Sequence, residues 1–239
     1  MDTSNNGTAT RVDAPPRARQ RDERLEMLFT LIMAFAAIGT AWSGFESSSW
    51  GSVQSNMTTQ ANALRLQSNR KATEAGQLRT LDVITFTAWI TAINQEMQSD
   101  PSAYPAEGFV VRENTGSGFL YARFRSEFKP VLGRWLELQP LRNPAAPSTP
   151  FVMPEYQLSA QTEADALLMK AELHSNKAQA ASKQSSRYML MGVIFALVLF
   201  FVAVGNKAKS AKSRLLLFSM SVVLLLGAMA TLASFPVVL

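Results

Sequence analysis

The chain contains no cysteine among its 239 residues. Disulfides, thiolate metal sites and a thiol nucleophile are therefore excluded, a redox role for the protein itself is not expected, and the fold must hold by packing alone. Histidine is almost as scarce. His174 is the only one, and a single imidazole supplies neither a His-pair metal site nor a Ser-His-Asp constellation. It falls beside Lys170 and Lys177 on a segment that reads as a solvated helix. Glu163, Asp165 and Glu172 lack the spacing of a calcium loop, which alternates oxygen ligands and ends in glutamate. Gly116-Ser117-Gly118 precedes a helical stretch but has no phosphate-loop pattern around it, so a turn is expected there. The residues point to no catalytic, metal or cofactor site, and the chain is not expected to be an enzyme or to bind nucleic acid.

What the chain does have is long apolar runs. Met27 to Phe45 is nineteen residues without a charge, Tyr188 to Gly205 eighteen and Leu215 to Phe235 twenty-one. Each is about the length that crosses roughly 30 Å of hydrocarbon. The fold class expected is all-α, an integral membrane protein with three transmembrane helices at 25–45, 188–205 and 215–235. The first run is longer than a secretory h-region and lacks a small-x-small cleavage site, so it reads as an uncleaved anchor.

Basic residues set the expected orientation. Arg11, Arg17, Arg19, Arg21 and Arg24 precede the first span, and Lys207, Lys209, Lys212 and Arg214 fill the 206–214 loop. Three spans put both segments on one side, and the positive-inside rule makes that side the cytoplasm. Lys170, Lys177, Lys183 and Arg187 near the second span are a smaller opposing cluster. Residues 1–24 then form a cytoplasmic basic tail, expected to be disordered. Residues 46–187 form an extracytoplasmic domain, and 236–239 end on the outer side.

Around the first exit the residues suggest lipid and helix contacts. Trp42 and Trp50 are candidate interfacial anchors, since indoles favour the headgroup region. Ala36, Thr40 and Gly44 recur every four residues and are candidates for close helix packing in the membrane. Glu46 reads as a solvated interfacial residue.

The outward region divides at its breakers into helices of about 46–98, 119–139 and 155–187, with a restart or kink at Pro130 and a Pro-rich strap at 140–154. Leu78, Leu81, Thr85, Trp89 and Ile93 recur at helical steps, as do Phe124, Phe128, Leu132 and Trp135. Ala160, Ala164, Leu167, Ala171, Ala178 and Ala181 make a small-residue seam of coiled-coil type. A helical stalk with a distal three-helix head is expected. Trp89, Trp135, Phe151 and Tyr156 are candidates for its core or for a partner surface.

Several stretches carry a resemblance. "TAWSGFESSSWGS", "EAGQLRTLD", "FTAW", "FRSEFKPVLGRWLELQPL" and "NPAAPSTPFVMPEY" resemble an uncharacterised group of bacterial inner-membrane proteins with one leading and two trailing spans. That group shows ATAWSxYQxxxWSG at the first exit and an NPxAPxTPFxMPEY run. The chain departs from the pattern at Phe45 and Glu46, where it prefers Tyr-Gln. The resemblance covers most of residues 40–205 and implies a bacterial inner-membrane location without an activity. The function expected is a scaffold or accessory subunit that binds another copy of itself, or another membrane or periplasmic protein, through its extracytoplasmic helices. The alternative is a homo-oligomeric channel or transporter component lined by the first span.

Overall fold

The computed structural model describes residues 16–104 and 109–238, with side chains from Leu25 onward. Among the described residues the regular structure is entirely helical: α1 (Pro16–Ser99), α2 (Gly116–Ala122), α3 (Phe128–Glu137), α4 (Ser159–Lys207) and α5 (Ala211–Ala233), with 3₁₀ turns at Pro101–Ala103 and Pro150–Val152. Three of these helices, α1, α4 and α5, are long and apolar enough to cross a membrane. The backbone is already helical from Pro16, so the 16–24 part of the expected disordered tail is helix instead. Pro16 opens it where a missing N–H is harmless. Residues 1–15 lie outside the described residues.

Two compact units emerge. One draws its described residues from Met1–Met57 and Asn176–Leu239, the other from Thr58–Ser175. We call them the span unit and the aromatic unit.

In the span unit, α4 runs antiparallel to α1 and α5 runs parallel to it. Reciprocal hydrogen bonds set the α1–α4 register: Ser47 Oγ donates to the Ser185 carbonyl at 3.0 Å, and Ser185 Oγ donates to the Ser47 carbonyl at 2.8 Å. Phe29, Ile32, Ala36, Phe195, Val198, Val202, Leu225 and Ala228 form the core. Gly39 completes the α1 seam, since a Cβ there would meet the Phe195 ring at 2.7 Å. At one end Arg214 approaches Glu26 at 3.9 Å and Phe218 packs edge-on against Phe29. Trp50 and Pro236 meet at the other.

The aromatic unit pairs α1 with α4 through small residues. Ala61, Ser68 and Ala75 are buried at seven-residue spacing on α1, and Ala160, Ala164 and Ala171 are buried on α4. Ser68 Oγ donates to the Ala164 carbonyl at 2.8 Å, and Ala75 packs with Leu158 and Ala160. A seven-residue repeat keeps one stripe in contact along both helices, and small side chains allow close approach. Farther along α1 the partners change. Phe86, Trp89 and Ile93 pack against Phe124, Phe128, Val131, Leu132 and Trp135.

Here the elements depart from the sequence expectation. The 119–139 helix is two helices, broken at residues 123–127. Pro130 lies in the first turn of α3, where no intrahelical N–H partner is required. The returning helix begins at Ser159 rather than at 155, and the aromatic core is built on α1, α2 and α3 without α4.

Candidate functional site

The aromatic core is a continuous set of ring contacts. Phe86 meets Trp135 edge-on at 5.3 Å, Trp89 meets Phe124 at 6.0 Å, and Phe151 stacks on Phe128 at 5.3 Å. The Pro-rich segment lies on this core. Trp135 Nε1 donates to the Pro147 carbonyl at 2.7 Å, and Arg142 donates to the Tyr104 carbonyl at 2.7 Å. Gln139 has φ of 50° just past α3, a left-handed residue that turns the chain into Pro140.

One acid organises this region. Asp82 is 1% exposed and lies seven residues after Ala75, in phase with the small-residue stripe. Arg125 holds it with two parallel hydrogen bonds, Nε to Oδ1 at 2.9 Å and Nη2 to Oδ2 at 2.7 Å. Tyr156 adds its hydroxyl to Oδ2 at 3.0 Å, and Arg125 also reaches Glu127, which accepts from Ser159. A planar guanidinium matches a carboxylate bidentately, and pairing of this kind offsets the cost of burying the acid. Asp82 thus ties α1, the α2–α3 turn and the end of the strap together. Burial first, then the hydrogen bond to Asp82, pushes the Tyr156 phenol well above its ordinary range. The Ser159 hydroxyl first, then Arg125, holds the Glu127 carboxyl below its usual value.

The short helix α2 is capped twice. Thr115 Oγ1 accepts from Gly118 N–H at 3.1 Å, and Glu96 accepts from the Ser117 N–H and hydroxyl at 2.8 and 2.7 Å. The carboxylate occupies the helix N-terminus, so the Gly-Ser-Gly stretch is a capped turn. Gly118 is required there because a Cβ would run into the Arg112 carbonyl.

The candidate residues separate by burial. Trp89 and Trp135, expected as core or partner surface, are buried core residues and are not available as an outer surface. Phe151 and Tyr156 are half-buried and seal the core from the strap side. Of the four-residue stripe, Ala36 is buried, Thr40 is half-buried and returns its hydroxyl to the Ala36 carbonyl, and Gly44 is exposed with open space around it. Within this chain the packed face of α1 is therefore Ile32, Ala36, Gly39 and Ser43 rather than Ala36, Thr40 and Gly44. Trp42 is exposed against Phe45, whereas Trp50 is half-buried and donates to the Pro236 carbonyl at 3.2 Å. His174 is half-buried rather than fully solvated. Glu46, expected in solvent, is fully buried.

Sequence reasoning missed the Asp82–Arg125 pair, although the heptad phase of Asp82 was a usable signal. It also missed Glu46, whose burial follows from Ile32, Ala36, Gly39 and Ser43 at three- and four-residue steps on the same face.

Large apolar side chains remain outside. In the aromatic unit Leu168, Met169 and Leu173 on α4 are 43%, 66% and 54% exposed. Among the described residues no three His, Cys, Asp or Glu side chains converge as a metal site. The chain matches no family model, no curated protein and no solved structure.

Proposed function

We propose that this is a bacterial inner-membrane scaffold or accessory subunit whose helical domain outside the cytoplasm binds a second copy of the chain or another membrane or periplasmic protein. In this reading α1, α4 and α5 span the bilayer, and the α1 N-terminus and the 206–214 loop face the cytoplasm. The basic residues of those segments support the orientation, as does the approach of Arg214 to Glu26 at a shared end of the span unit. Residues 46–187 then form the stalk and head.

The observation that carries the reading is the outward face of α4. Met169 and Leu173, four residues apart, share a side of a helix that buries Ala160, Ala164 and Ala171 on another, and Leu168 is exposed beside the buried seam. Such exposed apolar residues in an aqueous domain favour a protein partner. The test is native mass spectrometry of the full chain in nanodiscs, with bound proteins identified, for the wild type and for Met169→Glu/Leu173→Glu. The substitutions sit on the surface, so the fold is kept. A drop of about tenfold or more in retained partner or second copy is expected, equivalent to about 1.4 kcal/mol. Unchanged retention overturns the reading.

The channel alternative draws less support. The exposed face of the first span carries Leu31, Phe35, Ile38 and Phe45, suited to lipid, while Ser43 and Glu46 are turned inward.

A further inference from the structure

The span unit contains one buried acid, Glu46, whose charge no group among the described residues balances. Glu46 is fully buried, and its Oε2 accepts a single hydrogen bond from the Val238 N–H at 3.1 Å. Its Oε1 has no partner. Three residues earlier on the same buried face, Ser43 Oγ is also buried without a partner. Gln184 Nε2, one turn of α4 before Tyr188, is in the same condition. Among the described residues no Lys, Arg or His pairs with Glu46.

The cover over this site is the segment after α5. Pro236 presents its carbonyl to two donors, Tyr188 hydroxyl at 3.0 Å and Trp50 Nε1 at 3.2 Å. Phe235 packs edge-on against the Tyr188 ring at 5.3 Å. Residues 235–238 therefore form a clasp across α1 and α4, with Glu46 beneath it. The groups facing Glu46 are few. On α4 the titratable neighbour is Tyr188; Lys183 is exposed, and Arg187 is exposed with its Nη1 donating to Gln184 Oε1 at 3.5 Å. Between Leu215 and Val238 there is no charged or titratable residue.

An anionic carboxylate shut away from water with one hydrogen bond and no counter-charge is strongly unfavourable. We infer that Glu46, with Ser43 beside it, is a binding site for one small positive charge, a proton or a monovalent metal cation, and that its occupancy holds the 235–238 clasp closed. The sign follows from charge. The closed clasp shuts the carboxyl from water and leaves a bound positive charge as its compensation, whereas the open clasp lets water solvate it. Removing the positive charge therefore opens the clasp.

The absence of native cysteine makes the test direct. A nitroxide on Val237→Cys, in the full chain in phosphatidylcholine nanodiscs, reports docked and mobile clasp as separate spectral components. The pH is raised in N-methylglucamine chloride, then in sodium and potassium chloride, with a label on Leu215→Cys as a control for global unfolding. For a proton, the docked-to-mobile ratio falls as pH rises, by up to about tenfold per pH unit, the limit for one linked proton. Tyr188→Phe removes one of the two donors to Pro236 and lowers the docked component at every pH, but the fall of that component with rising pH persists. For a metal cation, sodium or potassium restores the docked component at fixed pH. Glu46→Gln, uncharged throughout, removes either response. A wild-type clasp indifferent to both pH and cations overturns the inference, as does a response that survives in Glu46→Gln; the wild-type titration stands even if that variant does not fold.

Discussion

The two units of this chain both have apolar cores built on helices, and they differ in what they leave outside and in how their buried acids are answered. The span unit keeps Ser43, Glu46 and Ser221 inside while Met27, Ile38 and Val223 are 66%, 66% and 70% exposed. The aromatic unit keeps Trp89, Phe128 and Leu132 inside and spreads Lys, Glu and Gln over its surface. Hydrocarbon does not drive apolar side chains inward, so with the first unit in a bilayer, as proposed, packing selects by shape, and Gly39 fits against Phe195. With the second unit in water, as proposed, burial itself is the driving force, and rings that bury large areas dominate it. The buried acids differ in the same way. Asp82 accepts three hydrogen bonds, two from Arg125 and one from Tyr156, within a complete ion pair, while among the described residues Glu46 has one donor.

The comparison breaks most visibly at the aromatic core. Trp89→Ala is expected to destabilise the aromatic unit by about 3–5 kcal/mol, the range for emptying a buried aromatic site. Denaturant unfolding followed by near-ultraviolet circular dichroism measures the loss, and a change under about 1 kcal/mol would contradict the core assignment. Asp82→Ala is next. It leaves the largely buried Arg125 without its partner, and the lower end of about 3–5 kcal/mol is expected because the guanidinium retains Glu127. Restoring shape without charge by Asp82→Asn should recover only part of that, by the same unfolding measurement.

In the span unit the sharper probe adds volume. Gly39→Ala drives a methyl into the Phe195 ring, and a loss of about 1–3 kcal/mol is expected in thermal unfolding of the nanodisc-embedded chain. The matching change at Gly44, where space is open, should be near neutral. A second copy packed on Gly44 would reverse that ranking.

The smallest effect is the acid response of the aromatic unit. The Ser102 hydroxyl, then Arg112, lowers the Asp100 carboxyl from an ordinary 3.8 to about 2, and Glu127 is lowered by Ser159 and Arg125. A carboxyl depressed in the folded state contributes stability above its unfolded value and loses it as pH falls through the folded one. Stability should therefore decline as pH drops from about 4 toward 2, and modestly, since both groups are exposed and screened. Arg112→Gln should flatten the Asp100 share of that decline in acid titration of unfolding.

Much of the layout was legible because its signals are local. Uncharged runs, the 206–214 lysines and the five prolines between Pro140 and Pro154 speak for themselves within a few residues. The alanine seam of α4 recurs at fixed spacing, and a helix converts spacing directly into a face. The break at 123–127 was less legible, because Pro130 is the conspicuous residue there although its place in a first turn is permissive. Leu81 misled in the same manner: it is apolar yet half exposed, while its neighbour Asp82 takes the buried position.

By itself, then, the sequence determined that the chain is helical, that three of its segments suit a bilayer, and where prolines interrupt the rest. These depend on hydropathy and on backbone chemistry carried by each stretch alone. Which acids are buried, and what answers them, is set by contacts between segments far apart in the chain. Asp82 meets a guanidinium 43 positions away, and Glu46 meets a backbone N–H 192 positions away. A charge in a sequence is solvated by default, and its burial is set by partners that only folding brings within hydrogen-bond reach.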